Sequence, residues 1–235
     1  MRIAPNATLT ATLCAAVLLL SVPPARAAST AFSDGVFVNS DWTLVIEGLN
    51  GGGTASGFQS LTGGNPVEYR RVNNTTNSAI GTGVSNTVFG AHFRSGAVFN
   101  PGVGGALLSV DFSAATIRVA GGVQAYGLAL RQGGVIYYGP GFLNPTAFGT
   151  WTTTTQTGLV AANFDAAAPG VQTPDFGVTG GPIEFGFSSA NSTSVGGGGG
   201  TTQGGIDNWS VTLQYDRATA VDAVSWGRLK HLYWR

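Results

Sequence analysis

Apolar and polar residues alternate with a period of two along most of the chain, in short runs separated by clusters of Gly, Asn and Pro. Because successive side chains of a strand point to opposite faces, this period predicts β-strands. No window between residues 30 and 216 has the 3, 4 and 7 spacing of a helix, so helices are limited to single turns. The runs with the strand pattern are 42–47, 69–73, 87–93, 106–112, 116–120, 125–131, 134–138, 150–155, 183–188 and 208–215.

This number of strands predicts an all-β fold, a two-sheet antiparallel β-sandwich of the jelly-roll kind, galactose-binding-like or concanavalin-like. The segments 49–57, 99–105, 166–173 and 196–200 are predicted to be loops. The last is a run of five glycines, and too little strand sequence follows it for a second domain. We therefore expect one sandwich domain over residues 28–216.

The first 27 residues have the pattern of a secretory signal. Arg2 precedes an apolar run over residues 11–22, and the run ends in Pro23-Pro24-Ala25-Arg26-Ala27, a cleavage-site pattern. A membrane anchor needs about 20 continuous apolar residues, and Thr12 and Ser21 interrupt this run. The sequence therefore predicts a protein that is secreted or held at the cell surface, without a transmembrane segment once the signal is removed.

Composition narrows the possible functions of the exported part. Removing Arg2 and Arg26 from the 11 basic residues leaves 9, against 11 acidic ones, so nucleic acid is not expected as a partner. Cys14 is the only cysteine and lies within the signal, so no disulfide is available after cleavage. Stability must then come from the core or from a bound ion. Only 9% of the residues are charged, which predicts a neutral polar surface.

The last 19 residues, 217–235, differ from the sandwich and are predicted to form a C-terminal tail. Trp226, Leu229, Leu232 and Tyr233 have the spacing of a short amphipathic helix, which Gly227 weakens. The tail is interpreted either as a sorting or surface-docking segment, or as a terminus that frays or packs back on the domain.

Candidate catalytic groups are few. His92 is the only histidine between the signal and the tail, and it alternates with aromatic residues in a predicted strand. Glu184 lies in another strand, where it is expected to face solvent or an arginine. The motifs G-x-S-x-G, H-E-x-x-H and C-x-x-C are absent from the sequence. We therefore predict that the domain is not an enzyme, and a secreted hydrolase is kept as an alternative.

Acidic residues at the two ends of the domain are candidate ligands for a structural Ca²⁺ ion. Asp34 and Asp41 belong to the first segment, and Asp207 belongs to the last predicted strand. Calcium prefers six to eight oxygen ligands from Asp, Asn and carbonyl groups. The alternative is that Asp34 and Asn39 only cap turns.

Three segments give the chain a family resemblance. The opening Phe32-Ser-Asp-Gly-Val-Phe37 with Asp41-Trp42, and the closing run Gly204-Gly-Ile-Asp-Asn-Trp-Ser-Val-Thr212, resemble the first and last strands of galactose-binding-like jelly rolls, including carbohydrate-binding modules. Gly63-Gly-Asn-Pro66, with Tyr69 after it, is similar to a signature of laminin B type domains, with Val67-Glu68 in place of two glycines. Residues 32–213 are also similar to secreted bacterial proteins. The resemblance implies a jelly roll, with calcium bridging its ends.

A carbohydrate site in such a fold uses exposed aromatic rings and polar side chains. We expect a polysaccharide or cell-surface glycan as the partner, and a structural or adhesive surface protein is the alternative. Tyr137 and Tyr138 must point to opposite faces of their strand, and Arg131 must find a carboxylate, a carbonyl or a ligand as its partner. For each aromatic residue, a place in the core is the competing interpretation. The predicted ligand-binding residues are Tyr69, Arg70, Tyr126, Arg131, Tyr137 and Trp151.

Overall fold

A computed structural model describes residues 27–167, 170 and 173–217. These residues form a two-sheet β-sandwich with one α-helical turn, Pro101–Gly104, and two 3-10 turns, Asn39–Asp41 and Ala161–Asn163. The strands are β1 (Ala27–Asp34), β2 (Trp42–Leu49), β3 (Gly53–Ser60), β4 (Tyr69–Thr76), β5 (Asn86–Phe99), β6 (Leu107–Ala120), β7 (Ala125–Gln132), β8 (Val135–Tyr138), β9 (Phe142–Leu143), β10 (Thr152–Leu159), β11 (Asp165–Ala166), β12 (Ile183–Thr193) and β13 (Gly200–Asp216).

The strands pair in two antiparallel sheets. Sheet A has the order β10-β6-β13-β4-β3, with β1 also paired to β13. Sheet B has the order β11-β8-β7-β12-β5-β2, with β9 also paired to β7. The first and last strands are direct neighbours, and their register places Asp34 opposite Trp209. The predicted all-β sandwich is confirmed by this pairing.

Aromatic residues from both sheets fill the space between them. Trp42 of β2 lies 5.3 Å from Trp209 of β13, edge to face, and 5.4 Å from Phe187 of β12, measured between ring centroids. Phe37 completes this group and is fully buried. Burying an aromatic side chain removes a large apolar area from water, so this cluster joins the sheets without a disulfide.

Some boundaries differ from the sequence prediction. Residues 49–57 are predicted to be a loop, which is wrong, because β3 occupies residues 53–60. The inner side of β3 carries glycine where large side chains from other strands need room. A Cβ on Gly57 would lie 2.5 Å from Cε1 of His92. Because its inner side has no large apolar residue, the strand lacks the alternation by which strands are recognised. The predicted strands 106–112 and 116–120 are one strand, β6.

The predicted signal up to Arg26 and the predicted tail from Ala218 lie outside the described residues. Among the described residues, no helix is long and apolar enough to span a bilayer.

Candidate functional site

The outer face of sheet B carries a second apolar cluster, separate from the core. The register places Tyr138 opposite Ala129 and Gly186 opposite both Ala129 and Phe93, so these four residues share one row on that face. The cluster is made of Ala91, Phe93, Ala129 and Ile136, with Val45 and Tyr138 packed against it. Small residues therefore form the floor of this face, and aromatic residues stand on either side.

Tyr138 reaches across this floor. Its ring lies 4.9 Å from the ring of Phe89 on β5, and its hydroxyl donates a 2.5 Å hydrogen bond to Oε2 of Glu47 on β2. Strands β8 and β2 are four strand spacings apart, about 19 Å in a flat sheet. A tyrosine and a glutamate extended toward each other cannot cover that distance. Sheet B is therefore twisted and curled so that its outer face is concave between these strands.

A charged pair lies beside this aromatic bridge. Nε of Arg131 donates to Oε1 of Glu184 at 3.1 Å, and Nη2 donates to Oε2, which makes the pair bidentate. The guanidinium also lies over the ring of Phe93, with 4.7 Å between Cζ and the ring centroid. These contacts hold Arg131 in one orientation. Both side chains stay partly exposed, so they remain available to a ligand.

The outer face of sheet B carries more acid than base. Asp165 of β11 is opposite Tyr138 and so lies on the same side as Glu47 and Glu184, with Arg131 as the cation among them. Burial, and next the hydrogen bond to Glu47, raise the pKa of Tyr138 well above its ordinary value. Tyr138 therefore stays protonated and acts as a donor at any physiological pH.

Three of the predicted ligand-binding residues are in the interior. Tyr126 is 1% exposed and donates to Oε1 of Gln124 at 2.9 Å. Tyr137 is part of the core, and Arg70 lies between the sheets, 2% exposed. These three residues are therefore core residues, as the alternative interpretation predicted for the aromatic positions. Large side chains gain most from burial when the fold can surround them.

The other predicted residues lie on two different faces. Arg131 is on the outer face of sheet B, as described above. Tyr69 and Trp151 meet on the outer face of sheet A, with ring centroids 5.4 Å apart and an interplanar angle of 80°. The structure thus brings Tyr69 and Trp151 together and separates them from Arg131.

The sequence-based prediction omitted residues that form the concave face. Tyr138, Phe89 and Glu47 were not among the predicted ligand-binding residues, although the alternation at Tyr137 and Tyr138 required one of the two to face outward. The sequence did contain a signal for Tyr138. Neighbouring residues of a strand point to opposite faces, so once Tyr137 packs in the core, Tyr138 lies on the outer face.

Two of the predicted metal ligands lie on paired strands, Asp34 at the end of β1 and Asp207 on β13, and Asp41 ends the 3-10 turn, but all three accept hydrogen bonds or ion pairs from the protein. Oδ1 of Asp34 accepts from the backbone N–H groups of Val36 and Phe37, and Oδ2 accepts from Nε1 of Trp42 and Nε of Arg94. Despite partial burial, these donors lower the pKa of Asp34.

Arg94 joins two of the three predicted calcium ligands, because its guanidinium also lies 3.3 Å from Asp41. Asp207 accepts from the backbone N–H groups of Asn65 and Asn208. Its pKa is raised, chiefly by burial, and nearby Glu68 and Asp34 add to the rise. Among the described residues, no group of three or more His, Cys, Asp or Glu side chains could hold a metal ion.

Calcium binding stays a prediction, and thermal unfolding tests it. An ion that binds only the folded protein raises Tm by mass action. A site at Asp34 and Asp41 would have to displace Arg94, so an Arg94→Gln variant should gain the larger increase in Tm when calcium replaces chelator. If the wild type and Arg94→Gln each melt at the same temperature with calcium and with chelator, the prediction of a calcium site is wrong.

His92 and Arg70 form a buried polar pair between the sheets. Nε of Arg70 donates to Nδ1 of His92 at 3.3 Å, and the imidazole stacks on Phe187 at 4.5 Å. His92 is fully buried, and burial, with the charge of Arg70 as the second cause, holds its pKa well below 6.5. A substrate cannot contact this imidazole, so His92 is a structural residue.

Comparison with known proteins gives distant structural similarity only. No protein-family model and no curated protein matches the sequence. A family 11 carbohydrate-binding module from Clostridium thermocellum, solved with a β-1,3-1,4-mixed-linked tetrasaccharide, aligns with a TM-score of 0.44 and 11% identity over 78% of this chain and 94% of that one. A xylan-binding domain of family 22 aligns with a TM-score of 0.41 and 13% identity over 81% and 96%.

A third solved structure, TmCBM61 in complex with β-1,4-galactotriose, has a TM-score of 0.35 and 13% identity over 74% of this chain and 89% of that one. All three are carbohydrate-binding modules, the class that the sequence motifs resemble. The fold assignment of this chain rests on its own strand pairing.

Proposed function

We propose that the domain is an exported, non-catalytic module that binds a neutral polysaccharide on the concave outer face of sheet B. The observation that carries the proposal is the bridge from Tyr138 to Phe89 and Glu47, which sets aromatic rings across a curved face. Aromatic faces pack on the apolar faces of sugar rings, and hydroxyl groups of the sugar need donors and acceptors at fixed positions. Beside the rings, Arg131 supplies hydrogen-bond donors and Glu184 supplies acceptors.

Rigidity supports this assignment. The ring of Tyr138 is held at its hydroxyl by Glu47, and Arg131 is held by Glu184 and Phe93. Side chains that are already ordered lose little entropy when a ligand binds. A curved face also matches one extended chain better than a flat crystalline surface, because it surrounds the chain on two sides.

The charge of the face supports a neutral ligand. Glu47, Glu184 and Asp165 outnumber Arg131, and the charge of Arg131 is already paired with Glu184. An anionic polymer would meet repulsion at this face. Catalysis is not part of the proposal, because His92 is fully buried and the Glu184 carboxylate is paired with Arg131. Export is inferred from the pattern of residues 1–27.

Affinity electrophoresis with mixed-linkage β-glucan, xylan and β-1,4-galactan tests the proposal. We expect at least one polymer to retard the protein, and Tyr138→Ala to weaken that binding at least tenfold, because the main stacking surface is removed. Tyr138→Phe should weaken binding less, since it keeps the ring and loses only the bond to Glu47.

The matched control is Phe148→Ala, which removes an aromatic ring that is 58% exposed and packs over Arg118 instead. This variant should bind as the wild type does. The proposal fails if none of the three polymers retards the wild type, or if Tyr138→Ala, shown to be folded by circular dichroism, is retarded equally.

A further inference from the structure

The outer face of sheet A contains an indole that the fold holds in a fixed position. The Tyr69 ring lies over Gly205 of β13, where a Cβ would come within 2.5 Å of two ring carbons. Trp151 packs edge-on against Tyr69, and its Nε1 donates to the carbonyl oxygen of Gly63 at 3.1 Å. Tyr69 is 6% exposed, whereas Trp151 remains partly exposed. The glycine, the tyrosine and the loop carbonyl together orient the indole at the surface.

A row of polar side chains continues from Tyr69 along the same face. Every second residue of β4 points outward, and after Tyr69 the outward side chains are hydrogen-bonded to neighbouring strands. Arg71 donates to Oε1 of Gln203 at 2.5 Å, and Asn73 donates to Oγ of Ser56 at 3.3 Å. The row offers guanidinium and amide groups in an ordered arrangement, with the 41% exposed ring of Phe58 opposite Arg71.

Arg71 carries a positive charge that no carboxylate neutralises within the described ranges, where every ion pair shorter than 4.0 Å involves other residues. Asp207 is on the same strand as the Arg71 partner Gln203, but both of its oxygens accept backbone N–H groups. A guanidinium with free N–H groups binds carboxylates in a bidentate geometry. The Arg71 guanidinium is thus complementary to an anion, whereas Arg131 on the outer face of sheet B is already paired with Glu184.

We propose that the outer face of sheet A is a second glycan site, which binds a polysaccharide that contains uronate sugars. Trp151 stacks on one sugar ring, and Arg71 pairs with the carboxylate of a uronate unit nearby. A neutral chain gains nothing from the free charge of Arg71, so the two faces select different polymers. This site does not depend on the proposed function of sheet B.

Affinity electrophoresis of the domain with polygalacturonate, alginate and hyaluronate tests this site, with neutral β-glucan run in parallel. We expect at least one uronate polymer to retard the wild type, more weakly at high salt, because an ion pair contributes. Arg71→Gln should weaken that binding at least tenfold, and Trp151→Ala should do the same. Tyr138→Ala should leave it unchanged, which separates this site from the one on sheet B.

Arg217→Gln is the charge-matched control, since it removes one exposed arginine from another part of the surface and should bind uronate as the wild type does. If Trp151→Ala is not folded by circular dichroism, Arg71→Gln decides the question alone, because it keeps the hydrophobic contacts. The proposal is overturned if no uronate polymer retards the wild type. It is equally overturned if Arg71→Gln binds as the wild type does, or if Tyr138→Ala abolishes uronate binding.

Discussion

Replacing Gly186 with alanine should destabilise the domain by about 3 kcal/mol, because the added methyl group would collide with the backbone of the neighbouring strand β5. Gly186 lies where the β12–β5 register shifts, and a Cβ there would overlap the carbonyl oxygen of His92. It would also lie 2.8 Å from the carbonyl carbon of His92 and 2.9 Å from Cα of Phe93. These are backbone atoms of a central strand, so they cannot move aside without breaking the ladder.

Thermal unfolding measures this effect, and a loss of that size should lower Tm by about 10 °C in a domain of this length. Gly181→Ala is the matched control, because nothing lies within 4 Å of a Cβ at that position. We expect the control to stay within about 1 kcal/mol of the wild type, since the change mainly reduces the entropy of the unfolded chain. Equal melting temperatures for the two variants would refute this account of the β12 packing.

Acidification from pH 7.5 to pH 4.5 should destabilise the domain through His92 by up to about 3 kcal/mol, because the buried imidazole resists the proton that the unfolded chain takes up. The unfolded chain binds a proton on this histidine near pH 6.5, whereas burial and the charge of Arg70 oppose protonation in the folded state. The contribution to stability is therefore complete above about pH 6.5 and decreases as the pH falls toward the folded pKa.

Urea unfolding at a series of pH values checks this prediction, with His92→Gln as the reference. Glutamine can accept the hydrogen bond from Arg70 but does not titrate. The variant should be less stable at neutral pH, because it loses the stacking on Phe187, yet its stability should fall less between pH 7.5 and pH 4.5. Carboxyl groups titrate alike in both proteins, so the difference between the two slopes isolates His92. Parallel slopes would contradict the prediction.

The sequence allowed the sandwich to be predicted because its central strands alternate large apolar and polar residues. Trp42, Phe187 and Trp209 each stand at a position where alternation points inward, and all three are buried. The prediction failed at β3, where Gly57 faces His92 and Arg70. A strand with small residues facing large side chains of other strands does not show the alternation of apolar and polar residues that predicts a strand.

The candidate site was harder to predict because it depends on cross-strand register and sheet curvature. Tyr138 and Glu47 are 91 residues apart in sequence, and only the curl of sheet B brings their side chains together. Tyr69 and Trp151 were both identified as candidates, but their contact follows from the loop that carries Gly63. Single residue types indicated sugar-binding chemistry, whereas the grouping of those residues required the folded sheets.

The pairing of the first strand with the last has a consequence for how the domain can be joined to other polypeptides. Ala27 is opposite Asp216, so the chain enters and leaves the sandwich at one corner. A segment fused before Ala27 or after Asp216 would start there, whereas Gly205, over which the Tyr69 ring lies, is near the opposite end of β13. Tethering through either end of the domain, or insertion into a loop of a host protein, would therefore attach the partner at the end of β13 opposite the proposed uronate site.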